Sequence, residues 1–226
     1  MKALAIDSAS SCMYISAKND DLSATIIINI GMKQSQELLP SIDYVLSKVN
    51  LKPEELDYMT LCSGPGTFTG LRLAFSALKA IEMSFGINIY SIPSLSVYAH
   101  KYNNFNGDVV SVIDAKKDQF FASVTRNGKE VFEAKDTDVN EVLNALNTKS
   151  QILVTGPDAV LFKDELLKVN PELNLITFGN NSDNSCPVLF EMSEDMIANK
   201  KDPLKDFEGP LYLRKSEAEL ALNNKN

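Results

Sequence analysis

The chain has 226 residues, a length that can bury a proper core as one large domain or as two lobes. Its net charge of −8 at pH 7 comes without a basic stripe, so we expect no strong binding of nucleic acid by this chain alone. His100 is the only histidine, which excludes metal sites and general-base schemes that need two imidazoles.

Cysteine usage and hydropathy indicate the cell interior. Cys12, Cys62 and Cys186 form no CxxC pair and predict reduced, mostly buried thiols. The N-terminal segment reaches Asp7 too early for a signal peptide, and no run approaches the roughly 18 apolar residues of a membrane span. We therefore expect a soluble, cytoplasmic protein that has no metal site and does not bind a membrane.

The first half of the chain predicts three strands followed by alternating helices and strands. Leu38, Ile42, Val45 and Leu46 recur at three- and four-residue spacing, which indicates an amphipathic helix. The predicted strands cover residues 3–6, 13–17, 24–30, 58–63 and 87–92, and the predicted helices cover residues 35–50, 73–85 and 93–102. The polar run at residues 103–107 is the best linker candidate.

The second half repeats this order of elements. In each half an aspartate, Asp7 or Asp114, is predicted to end the first strand, and an aromatic residue, Tyr14 or Phe121, follows seven positions later. The predicted strands cover residues 109–113, 119–125, 131–132, 152–154 and 175–178, and the predicted helices cover residues 137–146, 160–169 and 187–199. The repeat predicts two duplicated lobes.

The predicted fold is therefore α/β, with two duplicated βββαβαβ lobes of the actin-like (ribonuclease H-like) kind and a cleft between them. We place the N-terminal lobe at residues 1–104 and the C-terminal lobe at residues 105–226. A last helix, at about residues 214–224, is the element that could return to the first lobe.

A glycine-rich junction connects the fourth predicted strand to a long helix. It reads Gly64-Pro65-Gly66-Thr67-Phe68-Thr69-Gly70-Leu71-Arg72. Gly64 and Gly66 permit positive φ and close approach of the backbone, and Thr67 or Thr69 can cap the helix. Such a junction offers amide N–H groups that suit an anion, and the alternative is a tight turn that packs a helix on a sheet.

This junction resembles the signature of the YeaZ/TsaB family, which usually reads GPGSFTGLR. Four further segments are similar to the family in the same order: Leu4-Ala5-Ile6-Asp7-Ser8-Ala9-Ser10, Leu38-Leu39-Pro40, Asp114-Ala115-Lys116-Lys117, and Pro210-Leu211-Tyr212-Leu213-Arg214. The chain departs from the family at Gln34, where a histidine usually precedes the first helix. The departure puts in doubt any role that needs an imidazole there.

The resemblance implies a non-catalytic scaffold subunit in tRNA modification. Such proteins act with TsaD and TsaE in threonylcarbamoyl transfer to N6 of adenosine 37 (t6A37), in tRNAs that read codons beginning with A. It also implies a homodimer in isolation and contact with tRNA only through the complex. No firmly bound cofactor is expected, and the resemblance leaves room for ATP or ADP in the assembled complex.

Actin-like relatives hold the phosphates of a nucleotide between the two first hairpin turns. In the second turn, Ala115 and Lys116 bring side chains where the backbone should approach a phosphate. We therefore assign no catalytic residue, and only a weak or vestigial nucleotide site. Its candidate residues are Asp7, Ser8, Ser10, Asp114 and Gly156.

The helix after the signature is apolar over most of its circumference, whereas a surface helix usually shows one apolar stripe. We therefore predict that it pairs with a second copy in the homodimer and with TsaD in the complex. The predicted interface residues are Leu71, Leu73, Ala74, Ala77, Leu78, Ala80 and Ile81. The alternative is a helix buried within its own lobe.

Two other functions compete with the scaffold. A small ATPase or sugar-type kinase would use Asp7 and Asp114 around Mg-ATP and would turn over nucleotide alone. A glycoprotease, a label attached to relatives of the family, would need a positioned base, and His100 is the only histidine that could serve.

Overall fold

The computed structural model describes residues 1–178 and 184–214. The first half of the chain forms a five-stranded sheet and three α-helices, with short 3-10 helices at Gly31–Lys33 and Pro53–Glu55. Its elements are β1 (Lys2–Asp7), β2 (Cys12–Asn19), β3 (Leu22–Asn29), α1 (Gln34–Lys48), β4 (Tyr58–Gly64), α2 (Phe68–Phe85), β5 (Ile89–Pro93) and α3 (Ser94–His100).

The described residues of the second half form another five-stranded sheet with three more α-helices. Its elements are β6 (Asp108–Lys116), β7 (Gln119–Arg126), β8 (Lys129–Thr137), α4 (Val139–Ala145), β9 (Ile152–Thr155), α5 (Ala159–Val169), β10 (Leu175–Ile176) and α6 (Cys186–Ala198). Helix α2 begins five residues before its predicted start, because Thr69 to Arg72 continue the helix despite the low propensity of Gly70.

The two sheets share one topology, which confirms the predicted fold class. The first has the order β3-β2-β1-β4-β5 and the second the equivalent order β8-β7-β6-β9-β10. In each, the first three strands pair antiparallel, and the parallel pairing begins where the fourth strand joins the first. Both halves therefore carry the strand order of an actin-like (ribonuclease H-like) lobe.

Alternate residues of β1 face two different cores, as the two-residue period of a strand requires. Leu4 and Ile6 face the outer core of the first sheet, which α1 and α2 cover. Ala3 and Ala5 face an inner core that α3 and α6 cover. Helices α4 and α5 cover the outer face of the second sheet, so α3 and α6 lie between the two sheets.

Helix α6 follows the second sheet in sequence but packs on the first. The side chain of Ser193 donates a hydrogen bond to Thr60 on β4 at 2.7 Å, and Tyr58 donates one to Glu194 at 3.1 Å. Lys18 on β2 forms an ion pair with the same Glu194. The returning element is thus α6, whereas the last helix predicted at about residues 214–224 lies outside the described residues after residue 214. The lobe boundary at residue 104 stays a prediction.

Candidate functional site

The carboxylate of Asp7 is buried where β1 ends, with only 1% of the residue exposed. Its Oδ1 accepts a hydrogen bond from the N–H of Ala9 at 3.0 Å, and its Oδ2 accepts from the hydroxyls of Ser185 at 2.6 Å and Tyr98 at 3.2 Å. Burial raises the pKa of Asp7 above its ordinary value of 3.8, against the opposing effect of these donors. Asp7 therefore joins β1 to α3 and to the residue that precedes α6.

Two buried thiols lie beside Asp7. Burial raises the pKa of Cys62 on β4 and of Cys186 at the start of α6 well above the usual range of a thiol. The Sγ of Cys186 donates a weak hydrogen bond to the carbonyl of Ala5 at 3.8 Å. All three cysteines are buried and none forms a disulfide within the described part of the chain, as predicted. Protonated thiols of this kind are poor nucleophiles.

The signature junction packs directly on the turn after β1. The N–H of Thr67 donates to the carbonyl of Ala9 at 2.7 Å, and the hydroxyl of Ser8 donates to the carbonyl of Gly70 at 2.8 Å. A Cβ at Gly66 would lie 2.5 Å from the Ala9 carbonyl oxygen, and a Cβ at Gly70 would lie 2.1 Å from that of Ser8. Only glycine fits such close approach. The contacts favour the tight packing turn over the anion site.

Gln34 fixes the same turn from the other side. Its side chain is buried, and Nε2 donates hydrogen bonds to the carbonyls of Ser10 at 3.0 Å and Ser11 at 3.1 Å. An amide nitrogen carries two N–H groups and can serve both carbonyls, whereas each ring nitrogen of a histidine carries at most one. The residue that departs from the family pattern thus has a structural role here.

The second hairpin turn differs from its prediction. Strand β6 does not end at Asp114 but continues to Lys116, and β7 begins at Gln119. Lys116, Lys117 and Asp118 all have positive φ, near 60°, which allows a tight turn at some cost in backbone strain. Asp114 accepts hydrogen bonds from its near neighbour Lys116, at 2.7 Å from the backbone N–H and 2.5 Å from Nζ.

Asp158 and Gly156 support this turn from the loop after β9. The N–H of Asp114 donates to Asp158 at 2.8 Å, and burial raises the pKa of Asp158. Gly156 has φ +106°, and a Cβ there would lie 2.3 Å from the carbonyl oxygen of Val112 on β6. The glycine thus lets this loop lie against β6, a role that needs no nucleotide.

A cavity in the cleft between the lobes borders the predicted site. Its walls are mostly aromatic and aliphatic. They include Ser10, Tyr14, Tyr98 and Tyr102 from the first half of the chain and Thr155, Gly156, Pro157 and Phe178 from the second. Tyr102 and Phe178 stack with their ring centroids 5.8 Å apart. Ser10 and Gly156 of the predicted nucleotide site therefore border one cavity.

The acidic groups and the histidine considered for catalysis all have protein partners. Among residues 1–178 and 184–214 no group of three His, Cys, Asp or Glu side chains could hold a metal ion. His100 lies on α3 and contacts Glu191 at 3.2 Å and Asn103 at 3.1 Å, outside the lining of the cavity. Asp7 is enclosed by protein donors, and Asp114 is paired with Lys116. The hydrogen bonds of Asp7 hold β1, α3 and the start of α6 together at this cleft.

The predicted interface on α2 divides into a buried part and an outer part. Four of its residues are buried in the chain's own cores: Leu71, Ala74, Ala77 and Leu78. Leu73 and Ile81 are partly buried, while Ala80 is exposed and is followed by the exposed Met83. An interface on α2 would use this outer part, and its existence stays a prediction.

Several residues of the site were missed by sequence reasoning. Tyr98 and Ser185 donate to Asp7 across 91 and 178 positions, so no local pattern pointed to them. Arg214 and Asp136 pair across 78 positions. A signal existed only for Arg214, which closes the PxYLR motif.

Comparisons with known proteins agree with this geometry. A family model described as "TsaD: tRNA N6-adenosine threonylcarbamoyltransferase" matches residues 31–178, more than half of the chain. The "tRNA threonylcarbamoyladenosine biosynthesis protein TsaB" of Bacillus subtilis is 26% identical, over 97% of this chain and 96% of that protein. The chain belongs to the YeaZ/TsaB family. The TsaB protein of Buchnera aphidicola from Acyrthosiphon pisum is 29% identical, over 76% of this chain and 79% of its own.

A solved structure shows that the fold of this YeaZ/TsaB protein is shared. It is the crystal structure of an uncharacterized Pseudomonas aeruginosa protein "with similarity to peptidase YEAZ". The two superpose with a TM-score of 0.77 at 15% identity, over 94% of this chain and 99% of that one. Identity at this level supports the shared fold alone. The predicted membership of the YeaZ/TsaB family is confirmed by the family model and the curated relatives together.

Within the described residues, none of the helices combines the length and the apolar character that crossing a membrane requires.

Proposed function

We propose that this chain is a non-catalytic scaffold subunit in the synthesis of N6-threonylcarbamoyladenosine at position 37 of tRNA. Membership of the YeaZ/TsaB family supports the pathway. The state of the two cleft aspartates supports the role. Asp7 is buried under three protein donors, and Asp114 is paired with Lys116. Because a general acid or base must reach its substrate, neither residue is poised for catalysis.

The proposed partners are a TsaD enzyme and a TsaE protein. The TsaD-type family model that matches this chain supports a common architecture for this chain and TsaD. With a net charge of −8 the chain is a poor ligand for tRNA, so TsaD is the subunit proposed to hold the substrate. In isolation, the chain is proposed to form a homodimer. The proposal includes no firmly bound cofactor, leaves room for ATP or ADP in the assembled complex, and places the complex in the cytoplasm.

Reconstitution tests the proposal. The chain is combined with TsaD and TsaE of the same organism, the threonylcarbamoyl donor and tRNA, and the modified nucleoside is measured by mass spectrometry. We expect modification to require the chain, and Asp114→Asn to retain it within about tenfold, because a lost acid–base role typically costs 10²–10⁴. ATP turnover by the chain alone that Asp114→Asn abolishes would establish the ATPase alternative instead.

A second experiment tests the partner surface. Ala77 is only 7% exposed, so a charge there would disturb the chain's own core, and Ala80→Glu is the better probe. Leu161→Glu, at an exposed position on α5, is the control. We expect Ala80→Glu to weaken both self-association in sedimentation and capture of TsaD. If both associations persist at wild-type strength, the interface lies elsewhere.

Binding of tRNA by the isolated chain is the third test. We expect a Kd no tighter than about 10⁻⁴ M at physiological salt, the weak end of non-specific binding. A filter-binding assay that found micromolar affinity would mean that this subunit holds tRNA itself.

A further inference from the structure

The segment that follows α6, residues 201–214, forms no helix or strand and is named the C-terminal strap here. It begins on the first lobe. The N–H of Leu204 donates to the carbonyl of Ile89 on β5 at 2.7 Å, and the Leu204 side chain is buried in the outer core. Lys79 on α2 donates to the carbonyl of Lys205 at 3.4 Å. The start of the strap is therefore fixed to the first sheet and to α2.

The strap then crosses the signature junction. The N–H of Leu211 donates to the carbonyl of Ser63 at 2.7 Å, and a Cβ at Gly64 would lie 2.4 Å from the Leu211 carbonyl oxygen. Its next residue, Tyr212, accepts a hydrogen bond from Nε of Arg72 at 3.0 Å. The rings of Tyr212 and Phe68 lie 5.4 Å apart. The strap thus contacts both the end of β4 and the first turn of α2.

Two residues later, Arg214 binds the second lobe. Its Nε and Nη2 donate to the two carboxylate oxygens of Asp136 on β8 at 2.5 and 2.7 Å. Its Nη1 donates to the carbonyl of Ala115 at 2.7 Å, beside the second hairpin turn. The guanidinium also lies 5.7 Å from the centroid of the Phe121 ring. All three partners belong to the second sheet.

The contacts of the strap change lobes within three residues. Three residues span at most about 11 Å of backbone, and the Arg214 side chain adds its own length to that reach. A separation of the lobes beyond this combined reach must therefore break one anchor. We propose that the C-terminal strap is a latch across the cleft, in which Arg214 limits how far the second hairpin turn can move from the signature junction. This inference does not rest on the proposed function.

An ordinary surface ion pair would not be strong enough for a latch. The side chains of Arg214 and Asp136 are 30% and 25% exposed, and exposed pairs contribute little. This pair is bidentate, and the same guanidinium also binds a carbonyl and lies near a ring, which single exposed pairs do not. Arg126 and Asp108 offer a control of the same geometry, because they form a bidentate pair at 2.6 and 3.0 Å within the second lobe, although Asp108 is more buried than Asp136.

Spin-label distances across the cleft test the latch on the isolated full-length chain. One label is attached at Ser76→Cys on α2 and the other at Lys129→Cys on β8, both exposed, while the three native cysteines are buried. We expect Arg214→Gln and Asp136→Asn each to broaden the distance distribution, and the double variant to broaden it no further. Arg126→Gln should leave the distribution unchanged.

Hydrogen exchange provides the second measurement. With the latch open, the Leu211 amide should exchange about tenfold faster, as loss of one charge-assisted contact implies. The isosteric Asp136→Asn keeps the test decisive if Arg214→Gln proves poorly folded by circular dichroism. The proposal is overturned if a folded Asp136→Asn chain keeps the wild-type distribution, or if Arg126→Gln broadens the distribution equally.

Discussion

The turns after β1 and β6 begin from equivalent strands but have opposite environments. After β1, small residues such as Ser8 and Ala9 let the signature junction press against the turn, and Asp7 is buried beneath it. At the end of β6, the hairpin of β6 and β7 extends beyond Asp114 and closes in a tight turn at Lys117 and Asp118. The comparison shows that a duplicated fold can turn one acidic position into a packing anchor and leave the other near the surface.

Replacing each of the two aspartates in turn should give the largest difference in the free energy of unfolding. Asp7→Ala would leave the buried donors of Ser185, Tyr98 and Ala9 without their acceptor, and we expect a loss of about 3 kcal/mol in the free energy of unfolding. Asp114→Ala removes a partly exposed pair and should cost about 1 kcal/mol or less. Urea denaturation measures both, and equal losses would contradict the comparison.

Gln34→Ala tests how much the side chain that holds the turn after β1 contributes to stability. It removes the donor to the carbonyls of Ser10 and Ser11 and should cost about 2 kcal/mol. Gln36→Ala, at an exposed position of the same helix, is the matched control and should cost little. If both variants unfold at the same urea concentration, Gln34 does not hold the turn.

A smaller difference, between the stability of the wild type and that of Asp7→Asn, should depend on pH. The pKa of Asp7 is raised in the folded state, so folding favours the protonated acid. This contribution is fully present below the ordinary pKa of 3.8 and is lost as pH rises through the raised pKa. The stability of the wild type relative to Asp7→Asn should therefore fall as pH increases from 4. If the stability of the wild type relative to Asp7→Asn grows with pH instead, the pKa of Asp7 is lowered on folding and the prediction is wrong.

Lys116→Ala should have the smallest effect. The Lys116 side chain is 78% exposed, so its ion pair with Asp114 is screened by solvent and should contribute less than about 0.5 kcal/mol. The melting temperature and the reconstituted modification activity are the measurements. A tenfold loss of activity in the folded variant would show that the second turn contacts a substrate or partner.

The elements of this fold were predictable because their signals are local. The order of strands, the amphipathic helix α1 and the duplication all follow from periodicity and from turn residues. The course of β6 beyond Asp114 was not predictable, because a lysine carries no sign that it will accept positive φ.

The candidate site depended on distant contacts. The sequence identified Asp7 and the signature glycines but not their relation, since the Ser8 hydroxyl and the Gly70 carbonyl lie 62 positions apart. The buried part of α2 was also ambiguous. A helix that is apolar over most of its circumference can pack one face on its own sheet and another on α1, and Ala77 lies in the core that these elements share.

The return of α6 to the first sheet has a consequence for synthesis on the ribosome. Tyr58 and Tyr90 lie on the face that α6 covers, yet α6 is translated only after the whole second sheet. A nascent chain that ends before Cys186 therefore leaves the part of this apolar face that α6 covers exposed, and exposed hydrophobic surface is prone to aggregate. Although the first half of the chain is synthesised first, we expect its fold to be complete only after α6 has been synthesised.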